Sequence, residues 1–130
     1  MFAHLTLPTQ HVEETTRFLE HVLGYRRKEV PANSPVDARW LDIGNGQELH
    51  VFFVEGYVAS PFEAEFGRHV ALFHPVADFP ALRQRVVSGG GEILEALRAT
   101  PFERVFFREP VNGYLFEVID DVRHRQLLEG

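Results

Sequence analysis

Residues 112–120 read NGYLFEVID, and the one acid in the middle sets the problem. Side chains alternate along a strand, so Leu115, Glu117 and Ile119 share one face while Phe116 and Val118 share the other. Both faces are apolar. An ionised carboxylate buried there without a partner costs several kcal/mol, so Glu117 needs a cation, a metal or an edge position open to water. The same pattern occurs earlier in the chain: Asn45-Gly46 is followed four residues on by His50, just as Asn112-Gly113 is followed four residues on by Glu117. Further upstream, Gly24 follows His4 by 20 residues and Gly89 follows His69 by 20. Each half reads strand, helix, three strands. Internal repetition on this scale constrains the architecture before any single motif does. The expectation is an α+β protein of two βαβββ modules whose mixed, curved sheets form a metal-binding cleft.

The elements follow from local pattern. HLTL reads as a strand closed by Pro8. HVEETTRFLEHVLGY places Val12, Thr15, Leu19, Val22 and Leu23 at helical spacing, with Glu13 and Glu14 in the first turn and Gly24 where a C-terminal cap belongs. RRKEVPA and ARWLDI read as strands, and Asn45-Gly46 is a strong two-residue hairpin signal. QELHVFFV follows as a fourth strand with Glu48, His50, Phe52 and Val54 on one face. Residues 55–68 carry turn formers and no period, and read as a linker. HVALFHPV opens the second half, Asp78 caps a helix through FPALRQRVVSG, and Gly89 to Gly91 stop it. EILEALR, RVFFRE and YLFEVID complete the set. The boundaries expected are 1–54 for the first module, 69–121 for the second and 122–130 for a charged tail.

Composition narrows the function classes. A chain of 130 residues is one ordinary domain, or two half-size modules sharing a core. With 13 Lys+Arg against 19 Asp+Glu, a formal charge of -6, it has no basic stripe to neutralise phosphates, which argues against a nucleic-acid partner. There is no cysteine, so a metal must be held by His, Asp or Glu. No apolar run approaches roughly 18 residues, which argues against a membrane span. The opening MFAHLTLPTQH lacks the basic start and apolar core of a signal peptide, so a cytoplasmic location is the default expectation.

If the modules pack as pseudo-symmetric partners, His4, His50, His69 and Glu117 converge from four strands on a site suited to a divalent ion such as Zn, Ni, Co, Mn or Fe. On that reading a metal offsets the charge of Glu117. Each histidine alone is more simply a hydrogen-bonded structural residue; the repeat argues otherwise. Glu48 shares a face with His50 and either can be the fourth ligand. Alignment of the two Asn-Gly pairs favours His50 and leaves Glu48 as the candidate base. His11, His21, His74 and His124 fall outside the pattern and read as surface or structural. Arg104 and Arg39 are candidates to meet an anionic substrate, and Trp40, Phe52, Phe73 and Phe106 to line the cleft or fill the core.

HLTL, FLEHVLGY, GQELHVFF, GRHVAL and FFREPVNGYLFEVID together resemble the vicinal oxygen chelate superfamily over residues 4–120. That group includes glyoxalase I, bleomycin resistance proteins, fosfomycin resistance enzymes and extradiol dioxygenases. The resemblance implies a paired βαβββ fold and a metal on His4, His69 and Glu117, with His50 or Glu48 completing the set. Glu109-Pro110 stands where the family has Asp-Pro. Individual reactions match in part. Pro8 occupies the position of the glutathione-binding arginine in bacterial glyoxalase I. The HLTL start with Thr6 and the basic VRHRQ tail are similar to fosfomycin resistance enzymes, whose serine-rich potassium loop is missing from ATPFERVFF. LEALRATPFERVFF lacks the additional His or Tyr of the dioxygenases. The expected activity is a lyase or isomerase of glyoxalase type acting on a small substrate chelated through adjacent oxygens, in a homodimer. An extradiol-type dioxygenase and a drug resistance protein that modifies or binds its drug are the alternatives, with Thr6, Trp40, Phe52 and Arg104 as substrate-binding candidates.

Overall fold

A computed structural model describes residues 1–129, which divide into two compact units meeting in sequence at Val58 and Ala59. The first contains β1 (His4–Thr9), α1 (Val12–Leu23), β2 (Arg26–Lys28), β3 (Ala38–Gly44) and β4 (Gln47–Phe53), with strands ordered β1-β4-β3-β2. β1 runs parallel to β4, and the other pairings are antiparallel. Val12, Phe18, Leu19, Val22 and Leu23 of α1 are buried with Leu7, Leu41, Leu49 and Val51 of the sheet. Each such side chain contributes about 1.5–3 kcal/mol over its exposed state, which is what holds a helix of this length in place. Gly24 ends α1 in the left-handed region, φ 73°, and donates its N–H to the Glu20 carbonyl. Asn45 and Gly46 have φ of 54° and 74°, the two positive values that a tight β3–β4 hairpin requires.

β1 does not stop at Pro8 as the sequence suggests. It continues to Thr9, with Pro8 opposite Phe52 and Thr9 opposite Phe53. β1 is an edge strand, where a residue without an N–H is tolerated.

The second unit has β5 (Val70–His74), a single 3-10 turn (Val76–Asp78), α2 (Phe79–Ser88), β6 (Glu92–Leu94), β7 (Arg104–Arg108), β8 (Leu115–Asp120) and α3 (Asp121–Glu129), with strands ordered β5-β8-β7-β6. Phe79, Leu82 and Val86 of α2 are buried with Val105, Phe107, Phe116 and Val118. The two units therefore repeat one βαβββ arrangement, and the protein is α+β.

Three local expectations need correction. Asp78 makes no side-chain cap to α2; its carboxylate accepts from Arg85 Nη2 at 2.5 Å and lies 2.7 Å from His74 Nε2. The Arg85 bonds, then His74, hold the Asp78 carboxyl at about 2. EILEALR supplies only the three residues of β6, because the amides of Leu97 and Arg98 turn to the Glu65 carboxylate instead of a ladder. The charged tail is the helix α3, whose Arg123 N–H is accepted by Asp120. Among the described residues no helix is long and apolar enough to cross a membrane.

Candidate functional site

In the second unit, Ala71, Glu117 and Phe106 lie side by side across β5, β8 and β7. Glu117 is buried, yet both of its oxygens are engaged: Oε1 lies 3.2 Å from His69 Nε2, and Oε2 accepts from Arg104 Nη1 at 3.0 Å. The protein thus already meets the charge of Glu117 with a guanidinium, where the sequence alone points to a metal. Arg104 in turn donates to Glu65 Oε2 at 3.2 Å and to the carbonyl of Arg98, and its guanidinium carbon lies 5.0 Å from the Phe106 ring centre. Its side chain is buried and held by these partners, and it lines a pocket of about 490 Å³ with Arg83 and Arg98.

His69 carries the most informative geometry. Its Nδ1 faces the Ala64 carbonyl at 3.3 Å and its Nε2 faces Glu117 Oε1. A neutral imidazole has one N–H for these two acceptors. On Nε2 the proton is donated to the Glu117 carboxylate; on Nδ1 it is donated to the Ala64 carbonyl and leaves the Nε2 lone pair facing Glu117 Oε1. In the second tautomer the pair presents one imidazole nitrogen and one carboxylate oxygen, donor types that divalent cations take.

In the first unit, Thr6, His50 and Trp40 form the corresponding row across β1, β4 and β3. Thr6 lies two residues after His4, as Ala71 lies two after His69, so His50 holds the place that Glu117 holds in the second unit. The His50 ring is sandwiched, 4.0 Å from His4 at 13° and 3.9 Å from Trp40 at 3°. In-plane lone pairs of nearly parallel stacked rings do not converge, so in this conformation His4 and His50 cannot bind one ion together. His50 Nε2 is instead 2.9 Å from Glu48 Oε1, and Lys28 takes the other Glu48 oxygen. These bonds, with His50 first, hold the Glu48 carboxyl below its ordinary value. His4 itself is exposed, as is Thr6. Among the described residues no three His, Asp or Glu side chains are already gathered around one point.

Two apolar hollows adjoin these rows. Trp40 and Phe52 line one of about 250 Å³ with Val30, Pro31 and Pro35. In the second unit, Ile93, Leu94, Leu97, Phe106 and Leu115 line another of about 430 Å³. Of the other residues singled out in the sequence, Arg39 bonds Glu13 and Asp37, and Phe73 is exposed beside His124.

Two carboxylates escape the sequence reading because they lie in the stretch taken as a linker. Glu63 accepts from Arg68 at 2.7 Å and from the Leu115 N–H at 3.2 Å, and Glu65 binds Arg104. The usable signal was the alternation Glu63, Glu65 just before His69, with no hydrophobic reason for either.

Comparison with known proteins bears on the fold and the family. The model of the Glyoxalase/Bleomycin resistance protein/Dioxygenase superfamily matches residues 1–118. No curated protein sequence matches. Among solved structures, the chain is similar to a variant of the fosfomycin resistance protein FosX from Listeria monocytogenes in complex with Mn(II) and 1S,2S-dihydroxypropylphosphonic acid, with TM-score 0.78, 15% identity and coverage of 98% of this chain and 97% of that one. It is likewise similar to FosX from Mesorhizobium loti, with TM-score 0.71, 19% identity and the same two coverages. At these identities the likeness is one of fold. The chain belongs to the Glyoxalase/Bleomycin resistance protein/Dioxygenase superfamily.

Proposed function

We propose that this protein is a divalent-metal-dependent enzyme of glyoxalase type, a lyase or isomerase acting on a small molecule that presents two adjacent oxygens. The observation that carries the reading is His69, whose two ring nitrogens both face acceptors and whose Nε2 is aimed at Glu117. His69 and Glu117 would hold the ion, and His4, an exposed imidazole at the matching position of the first unit, is the third proposed ligand. Such an ion acts as a Lewis acid toward a substrate oxygen.

The chain's own residues do the rest. Arg104 fixes the second oxygen of Glu117, leaving Oε1 turned toward His69. Glu48 stays ionised across the neutral range and is the proposed proton acceptor. Its depressed basicity suits it to a proton whose departure is already strongly favoured. His50 is held by Glu48 and Trp40 and serves as a wall of the site, with Thr6 beside it. Trp40 and Phe52 offer an apolar surface to the remainder of the substrate. A homodimer is the proposed assembly.

A fosfomycin-type activity is the second reading, favoured by the Mn(II) and phosphonate in the similar Listeria structure. Three guanidiniums of the second unit are already engaged within the protein, Arg68 by Glu63, Arg104 by Glu117 and Glu65, and Arg108 by the carbonyls of Glu63 and Gly113, so a phosphonate would have to be met by others, such as Arg83 and Arg98, which line one pocket. The test is turnover by Mn(II)-loaded protein, followed by NMR, of a hemithioacetal, of fosfomycin, and of a catechol with oxygen uptake. Conversion of the hemithioacetal alone supports the first reading. Opening of the fosfomycin epoxide or ring cleavage of the catechol would replace it.

A further inference from the structure

We propose that Glu65, acting through Arg104, is a positioning residue that sets the charge Glu117 offers to a cation. This rests on the metal-dependent reading above and adds Glu65, to which that reading gives no role. The three side chains form a buried chain of charge: Glu65, Arg104 and Glu117 are 8%, 5% and 6% exposed. Arg104 sits between the two carboxylates, giving Nη2 to Glu65 and Nη1 to Glu117.

Glu65 is itself anchored. Its two oxygens accept the Leu97 N–H at 2.7 Å and the Arg98 N–H at 2.9 Å, and Arg104 closes the loop by donating to the Arg98 carbonyl. The turn after β6 is therefore tied to the metal-facing carboxylate through one guanidinium. Two carboxylates and one guanidinium leave a sum of one negative charge. Arg104 with only Glu117 as counter-ion would leave none. Without Glu65, Glu117 would be neutralised from behind and would have little left for a cation at its Oε1. With Glu65 present, Arg104 orients Glu117 while its charge is balanced elsewhere.

Substitutions that change charge and keep size test this. Glu65→Gln brings the sum to zero and should weaken Mn(II) binding about tenfold, read by the free-ion EPR signal. Adding Arg104→Gln to Glu65→Gln restores the sum to one negative charge and should return affinity to within about threefold of the parent. A purely structural role gives the opposite pattern, since losing a second contact to Glu117 would weaken binding further. Parent-like affinity in Glu65→Gln, or a double variant weaker than the single, would overturn the proposal.

A second arm needs no metal. In metal-free protein, Arg104→Gln should speed hydrogen exchange at the Leu97 and Arg98 amides, which Arg104 does not itself accept. Unchanged exchange there would also overturn the proposal. If the parent takes up no Mn(II), the proposed function falls, and the exchange arm alone decides the role of Glu65 and Arg104.

Discussion

Glu117 Oε1 lies 3.2 Å from His69 Nε2, while the opposite ring nitrogen of His69 is held by the Ala64 carbonyl. A ring with one proton satisfies only one of these two acceptors, and Glu117 lies in register between Ala71 and Phe106 of the neighbouring strands.

Glu117→Gln keeps the shape of that face and removes the charge. Arg104 retains Glu65 as a counter-ion, so the loss of stability in metal-free protein should be about 1–2 kcal/mol by urea unfolding, well within what a domain of this size withstands. A loss above about 4 kcal/mol would mean that Arg104 depends on Glu117 alone.

Stacking on His50 gives Trp40 a fixed environment, and Trp40 is the one tryptophan of the chain. Because the stacked planes of His4 and His50 do not converge, a metal ion should leave His50 in place. Saturation with diamagnetic Zn(II) should therefore leave the Trp40 emission maximum where it is, whereas His50→Ala should shift it to the red. A Zn(II)-dependent shift in the parent protein would show that His50 turns to become a ligand.

Asp78 provides a pH signature away from the site. Its carboxyl falls from 3.8 to about 2 on folding, chiefly through Arg85. A depressed carboxylate stabilises the fold above its unfolded value, and that contribution is lost as pH falls through the folded value. The side chain is 35% exposed. With allowance for solvent screening, Asp78→Asn should cost about 1 kcal/mol at neutral pH, with the difference shrinking as pH falls below the unfolded value and vanishing only below the folded one. A pH-independent difference between the two proteins would refute the assignment.

Glu109 is fully buried and accepts the N–H groups of Val111, Asn112 and Tyr114, and burial pushes its carboxyl up from the ordinary value. Glu109→Ala should leave these amides without an acceptor and cost about 3 kcal/mol, while Glu109→Gln, which can still accept, should cost less than half of that. Equal losses by chemical denaturation would show that only the volume of the side chain matters.

The repeat was legible because its markers are local. Gly24 needs a left-handed backbone, Asn45-Gly46 needs two positive φ values, and the alternation through Leu115 to Ile119 reads directly as a two-faced strand. His69 and Glu117 were legible for the same reason, both being histidine or acid at repeat-matched positions. Pairing partners were not. That Arg104 faces Glu117 depends on the β7–β8 register, and that Glu65 faces Arg104 depends on the path of an aperiodic segment; neither leaves a period in the sequence. Asp78 misled because an acid before a helix reads as a cap, yet Arg85, seven residues on, binds its carboxylate more strongly than a backbone amide would.

The measurement that bears most directly on this account is the stoichiometry of Mn(II) bound by metal-stripped protein, compared among the parent, Glu117→Gln, His69→Ala and His4→Ala. One tightly held ion per chain in the parent, and a loss of at least about 100-fold in affinity in each variant, is the result expected. One tightly held ion in Glu117→Gln or in His69→Ala would contradict it.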